Sequence, residues 1–382
     1  MEIIYPVPEK LPLNKARIIQ ILNTSFSLAN LGIKIELCCA LKRGFTIHKL
    51  LEYYGITYSS SNLIIKKFPL ISYQIKNYLK ISWHFPYKLF LLIYILFKNK
   101  NSKIILFLRY PKLAYFLLKF KNFINSIFIY EAHEIFSFKN SKYLKIEKKI
   151  FENSDIIICI TENLRKFIIE NFKVSSNKIY VIPDAVKEEW LNIKREKGEF
   201  IFYAGSLEDW KGLEILIKAM SYLPQEKLII AGEGKELGNL KRLTKELKLE
   251  ERVKFLGHIP HEQVPIYLSR SKLGILSNIE KSNSLFTSPL KLFEYMALGL
   301  PIIASDIPPF REILTHGENA YLVEPENPKA LAEGMRYLIE NPQIAQSLSS
   351  KAKQKAMNYT YSIRAKKIKE IIENLLKMNK FF

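Results

Sequence analysis

The sequence predicts an α/β protein made of two parallel-sheet domains that face each other across a cleft. Three observations carry that prediction. The chain has 382 residues, enough for two domains of ordinary size, each closing its own core. Hydrophobic residues make up 48% and charged residues 25%, the balance of a folded chain. Short apolar runs alternate with amphipathic stretches from end to end, with short steps between them, as in a sheet of parallel strands covered on both faces.

In the first half, residues 15–31 repeat apolar side chains at helical spacing and stop at Gly32, and residues 34–39 read as a buried strand. Residues 103–108, 126–130, 155–160 and 178–182 are further strands, with helices over 143–151 and 164–172. Charge then swamps any apolar period over 187–199, the expected linker, which divides the chain into domains 1–190 and 191–360. The second domain reads as strands at 200–204, 227–231, 253–256, 273–276, 301–304 and 320–323. Helices fall between them, over 212–222, 235–247, 262–269, 289–298, 309–314 and 328–339. Two helices follow with no strand after them, 342–357 and a last one within 361–382, which is expected to pack back toward the first domain.

The 58 Lys and Arg outnumber 37 Asp and Glu, a formal charge of +21, and residues 1–130 alone hold 19 against four, a net of +15. So local an excess points to an anionic partner or to a lysine-rich hydrated surface. The longest apolar run, residues 89–97, falls short of the ~20 needed to span a bilayer. No basic flank precedes the first apolar run, so no signal peptide is expected. Residues 83–120 interleave rings such as Trp83, Phe90 and Phe97 with Lys88, Lys98, Lys100, Lys103, Lys112 and Lys119. That mixture suits either a headgroup layer or a helix laid on a sheet. Cys38, Cys39 and Cys159 read as reduced core thiols of a cytosolic protein, and six His argue against a His-rich metal centre.

In open α/β sheets ligands bind beyond the carboxyl ends of the strands. Four such ends stand out in the second domain. Gly205-Ser206 follows the first strand, and Lys211 precedes a helix near Gly212, a place for phosphate or for a simple turn. Gly232 and Gly234 follow the second strand, again a close-approach site or a turn. Gly257-His258-Ile259 follows the third and offers backbone groups to a base edge. Before the fifth strand, Ser288 is placed as an N-cap with Pro289 in the first helical turn, then Leu290, Lys291 and Glu294. Glu294 suits a pair of ribose hydroxyls, and with Lys291 it also makes an ordinary surface pair. In the first domain, His133 and Arg109 follow strands; either is placed for proton transfer and binding or for a structural role.

Taken in order, these fragments resemble the donor-binding domain of a GT-B glycosyltransferase, specifically the large retaining family GT4 (glycosyl transferases group 1). The resemblance rests on residues 200–205 with Lys211-Gly212, residues 229–234, residues 253–257 and residues 288–306. Residues 130–134 and 179–185 resemble the matching places of the first domain. It implies two Rossmann-like domains facing across a cleft, and transfer of a hexose from a GDP- or UDP-hexose with retention. By resemblance, Glu294 is the second glutamate of an E-x7-E motif and binds ribose. Lys211 meets the diphosphate, Lys291 adds charge beside it, and His133 lies near the transferred sugar. Backbone over 286–290 covers sugar and phosphates, with Gly257 to Ile259 near the base and Gly205, Ser206 and Gly232 lining the nucleotide.

The first glutamate of the motif is replaced by Phe286, and the basic residue usual after the strand-end glycine by Ser206. No metal or further cofactor is implied. The expected acceptor is a saccharide or lipid-linked saccharide, mannose is favoured as the sugar, and no nucleic acid is involved. A cytoplasmic protein in peripheral contact with the inner face of an anionic membrane follows. Two alternatives compete: a nucleotide-sugar epimerase of similar architecture, and a non-enzymatic basic protein that binds membrane or nucleic acid.

Overall fold

The computed structural model describes residues 1–56, 60–70, 84–98, 104–282 and 284–378. Trp83, Lys100 and Lys103 of the ring-and-lysine segment lie outside the described residues. The chain divides into two compact units, Met1–Ile182 with Ser362–Phe382, and Pro183–Tyr361.

Among the described residues the first unit is a parallel sheet of seven strands: β1 (Glu2–Leu11), β2 (Lys34–Leu41), β3 (Leu63–Lys67), β4 (Ile104–Leu108), β5 (Ser126–Ala132), β6 (Ile156–Cys159) and β7 (Ile179–Val181). Their order is β3-β2-β1-β4-β5-β6-β7, so the first strand sits in the interior and Ile4 pairs with Glu36 on one side and Leu106 on the other. Burial on both faces explains the unbroken apolar runs of β4 and β6, every residue of which is buried. Ala365, Ile368 and Ile372 of the last helix, Tyr361–Met378, join the core beside Ile3, Ile35 and Ile129.

The helix Phe85–Lys98 lays one face on the sheet and leaves the other exposed. Tyr87, Leu91, Leu92 and Ile95 are buried, and the Tyr87 hydroxyl donates to the Cys38 carbonyl of β2 at 2.5 Å. Leu89, Phe90, Ile93 and Phe97 are exposed, Phe97 by 67%. Among the described residues no helix is long and apolar enough to cross a membrane.

Among the described residues the second unit has six short strands: β8 (Ile201–Ala204), β9 (Leu228–Ala231), β10 (Val253–Gly257), β11 (Gly274–Leu276), β12 (Ile302–Ser305) and β13 (Tyr321–Val323). They form two parallel ladders, β10-β9-β8 and β11-β12-β13. The continuous sheet expected from sequence is interrupted between β8 and β11. There the Ser271 hydroxyl takes the Phe202 amide at 3.1 Å, and a single parallel bridge, Phe200 to Ser271, replaces a ladder. The charged stretch 187–199 is no free linker. Glu188–Asn192 forms a 3₁₀ turn whose Trp190 is buried in the core with Phe293 and Met296. One large ring outweighs the charges around it, because burying it removes a large apolar area from water.

Candidate functional site

The strand-end loops of the second unit are tied to one another by their backbones. Gly205 N–H donates to Ala231 O at 3.0 Å, Gly232 N–H to Gly257 O at 2.7 Å, and Leu207 N–H to Glu233 O at 2.9 Å. Gly232 has φ +143°, and a Cβ built there falls 1.8 Å from the Gly205 carbonyl oxygen. A Cβ on Gly212, at φ +68°, falls 1.7 Å from Ser277 O. These glycines are required by backbone packed on backbone, a contact that spacing alone does not distinguish from room for a ligand. Ser206 and His258 are exposed, while Gly257 and Ile259 are half-buried.

Lys211 ends the 3₁₀ turn Asp209–Lys211 and is buried, its Nζ 3.7 Å from the Trp210 ring centroid. Ser277 Oγ donates to its carbonyl at 3.1 Å, and Ile279 N–H to Trp210 O at 3.1 Å, which fix the turn. Lys291, in the first turn of the helix Leu290–Leu298, is buried too, its Nζ 3.7 Å from the Tyr203 ring centroid. Neither amine has an ion-paired acid among the described residues. Burial pushes Lys211 down to about 7. Burial, then the charge of Lys211, pushes Lys291 well below the usual lysine range, against the pull of Glu294. Lys291 Nζ and the Tyr295 hydroxyl one turn on are buried polar atoms with no hydrogen-bond partner among the described residues. Two buried amines held over rings, with no ion-paired acid among the described residues, are placed to take up protons beside a bound anion.

The same helix begins without a side-chain cap. Ser288, the expected N-cap, instead accepts the Asp184 amide at 3.1 Å, and Pro289 stands in extended conformation at the cap position. The Asp184 amide competes for the hydroxyl, so the first-turn N–H groups keep their attraction for negative charge. Pro289 is buried, and Leu290 and Ser288 are half-buried. Phe286, at the place of the missing glutamate, is buried at 3% exposure.

Glu294 does not lie on a surface beside Lys291, as helical spacing suggests; all eight residues from Lys291 to Leu298 are buried. Its Oε1 lies 2.9 Å from His261 Nε2, and the His261 ring stacks on Trp190 at 5.3 Å and 24°. Sequence reasoning missed His261. Its one signal was a His three residues beyond His258 in the same loop. It also missed Asn278, fully buried just past β11, whose side-chain amide has no partner among the described residues.

In the first unit, β5 delivers Glu131 and His133 at its carboxyl end. Glu131 is buried and accepts from Tyr5 at 3.0 Å, from Gln20 at 3.2 Å and from Arg364. His133 Nε2 lies 3.2 Å and Arg109 Nη1 3.7 Å from Glu131 Oε2. Burial opposes the charge on Glu131, yet His133, Arg364 and Arg109 hold its carboxyl well below the usual range. The Glu131 carboxylate thus stands at ion-pair distance from His133 Nε2. Arg109, expected to face a ligand, is spent on Glu131 and Gln20. Among the described residues no group of three His, Cys, Asp or Glu is placed to hold a metal ion.

Residues 186–355 match the family model described as Glycosyl transferases group 1. An uncharacterized glycosyltransferase of Methanocaldococcus jannaschii is 29% identical over 246 residues, 60% of this chain. The match takes in 61% of that relative's own length. Among solved structures, sucrose-phosphate synthase from Thermosynechococcus elongatus is similar with a TM-score of 0.78 at 17% identity, over 99% of both chains. Anabaena HepE in complex with UDP is similar with a TM-score of 0.77 at 16% identity, over 98% of this chain and 100% of that one. The fold is therefore that of GT-B glycosyltransferases, two Rossmann-like parallel-sheet domains.

Proposed function

We propose that this protein is a glycosyltransferase (EC 2.4 type) that moves a hexose from a nucleoside diphosphate sugar to a saccharide or lipid-linked saccharide in cell-surface polysaccharide or glycolipid synthesis. One observation carries the reading. Lys211 and Lys291 are buried without an ion-paired acid among the described residues, beside a helix start whose N–H groups have no side-chain cap. A diphosphate supplies the missing charge to both. Glu294, on the same helix, takes the ribose hydroxyls, and the backbone of Gly257 to Ile259 lies against the base. The group 1 match over this unit and the likeness to HepE, crystallised with UDP, support a nucleotide-sugar donor.

The step we propose breaks the bond from the sugar C1 to the diphosphate oxygen and forms a bond from C1 to the acceptor oxygen on the same face. The acceptor proton passes to the departing diphosphate. The growing charge on that leaving group is met by Lys211, Lys291 and the helix start, fixed in place before reaction. No enzyme carboxylate is required as nucleophile, in keeping with Phe286 at the place of the motif's first glutamate. His133 lies near the transferred sugar in this reading. Mannose, with GDP as carrier, is the favoured donor by family resemblance.

The acceptor lies at an anionic membrane surface in this reading. Support comes from the +15 charge of residues 1–130 and from the exposed face of the helix Phe85–Lys98. A calorimetric panel of nucleoside diphosphate sugars tests the donor assignment. One donor should bind, and Lys291→Met should weaken it. Binding of none at millimolar concentration overturns the reading.

A further inference from the structure

The contact between His261 and Glu294 lies beside the proposed ribose site, and family resemblance assigned it no role. His261 opens the 3₁₀ turn His261–Gln263, just past the loop that begins at Gly257. Its ring lies on Trp190, which is 5% exposed, and its Nε2 lies 2.9 Å from Glu294 Oε1. The other carboxylate oxygen, Oε2, accepts from no group among the described residues. The His261 and Glu294 side chains keep 24% and 10% exposure, so both are reachable from solvent.

We infer that His261 is a positioning residue that fixes the Glu294 carboxylate for a ribose diol, and that Trp190 fixes His261 in turn. The inference rests on the proposed nucleotide-sugar reading. A glutamate side chain has three rotatable bonds, and ordering it on binding weakens the complex. Nε2 donates to Oε1, which sets the carboxylate plane before the nucleotide arrives. Oε2, together with the second lone pair of Oε1, remains for the two hydroxyls. The stacked Trp190 prevents the imidazole from turning away. The chain thus reads the sugar of the nucleotide through a three-residue relay, Trp190 to His261 to Glu294, of which only the last member touches the ligand.

The test compares the affinities of UDP and GDP with those of their 2′,3′-dideoxy forms, by calorimetry, in the wild-type protein, His261→Ala, His261→Gln and Glu294→Gln. Wild type should prefer the ribose form. His261→Ala should shrink that preference by roughly two- to tenfold, the cost of ordering one side chain. It should leave affinity for the dideoxy form unchanged, and His261→Gln, which keeps a donor, should restore the preference. Full preference in His261→Ala overturns the inference and leaves the nucleotide-sugar reading standing. So does equal loss of both affinities, which marks a structural role. No preference in wild type, with Glu294→Gln equally indifferent, overturns the ribose assignment itself and the inference with it.

Discussion

Arg364, in the last helix, bonds to Glu131 at the end of β5, 233 residues earlier, and also donates to the Ile182 carbonyl at 2.7 Å. The first unit is therefore completed by the end of the chain. Glu131→Gln should cost about 3–5 kcal/mol at pH 7, since it leaves the buried Arg364 guanidinium, and the half-buried Arg109 beside it, without their charge partner. The folded carboxyl lies below its unfolded value, so its contribution is present above about pH 4.3 and lost as pH falls through the folded value. Urea denaturation should show the deficit of Glu131→Gln narrowing in strong acid. A constant deficit from pH 7 to pH 2 would refute the assignment.

Lys211 weakens the fold in order to hold charge. Between about 7 and its unfolded value near 10.5 the amine is neutral when folded and protonated when unfolded, so stability rises with pH across that window. The slope from one such group is at most about 1.4 kcal/mol per pH unit. Lys211→Met should raise Tm at pH 7 and flatten the rise between pH 7 and 9, while lowering nucleoside diphosphate affinity. A lower Tm together with unchanged affinity would remove Lys211 from the site.

Diphosphate binding should restore the proton to Lys211. Calorimetry at pH 8 in buffers of different ionisation enthalpy should register proton uptake, and affinity should fall from pH 7 to pH 9. Heats independent of buffer would count against an ionised Lys211 in the complex.

Glu294→Ala should lower kcat/KM by about ten- to hundredfold through lost charge-assisted hydrogen bonds, with the circular dichroism spectrum unchanged. His133→Ala should reduce transfer by roughly a hundredfold or more and leave nucleotide affinity nearly intact. Equal loss of transfer and nucleotide binding in His133→Ala would assign it to structure.

Flotation with vesicles containing anionic lipid should carry the protein at low salt and release it as salt rises. Phe90→Glu on the exposed face of the helix Phe85–Lys98 should reduce flotation without lowering Tm. Absence of flotation at low salt would leave that face without the proposed partner.

Much of this fold was legible because local signals agree. Gly32 stops a helix where the apolar period ends, and strands such as β4 and β6 are short apolar runs, whereas β1, with Pro6, Pro8, Glu9 and Lys10 in it, and β3 went unread. What escaped was long-range or a matter of competition. Nothing near Glu131 announces Arg364. Ser288 has the chemistry of a helix cap, but the Asp184 amide takes its hydroxyl. Trp190 was hidden among charges because composition averages over a window while burial selects one ring. Lys291 and Glu294 were legible as candidates by position, but their burial depends on how the whole unit closes around that helix.

The interlocked loops of the second unit bear on any effort to alter its ligand preference. Gly205 donates to Ala231 and Gly232 to Gly257, and the Gly232 backbone lies directly against the Gly205 carbonyl. Grafting the middle segment alone would disturb hydrogen bonds to both flanking loops, so these segments are best transplanted as a set. Their shape is inherited jointly, and redesign there has to treat three stretches of sequence as one part.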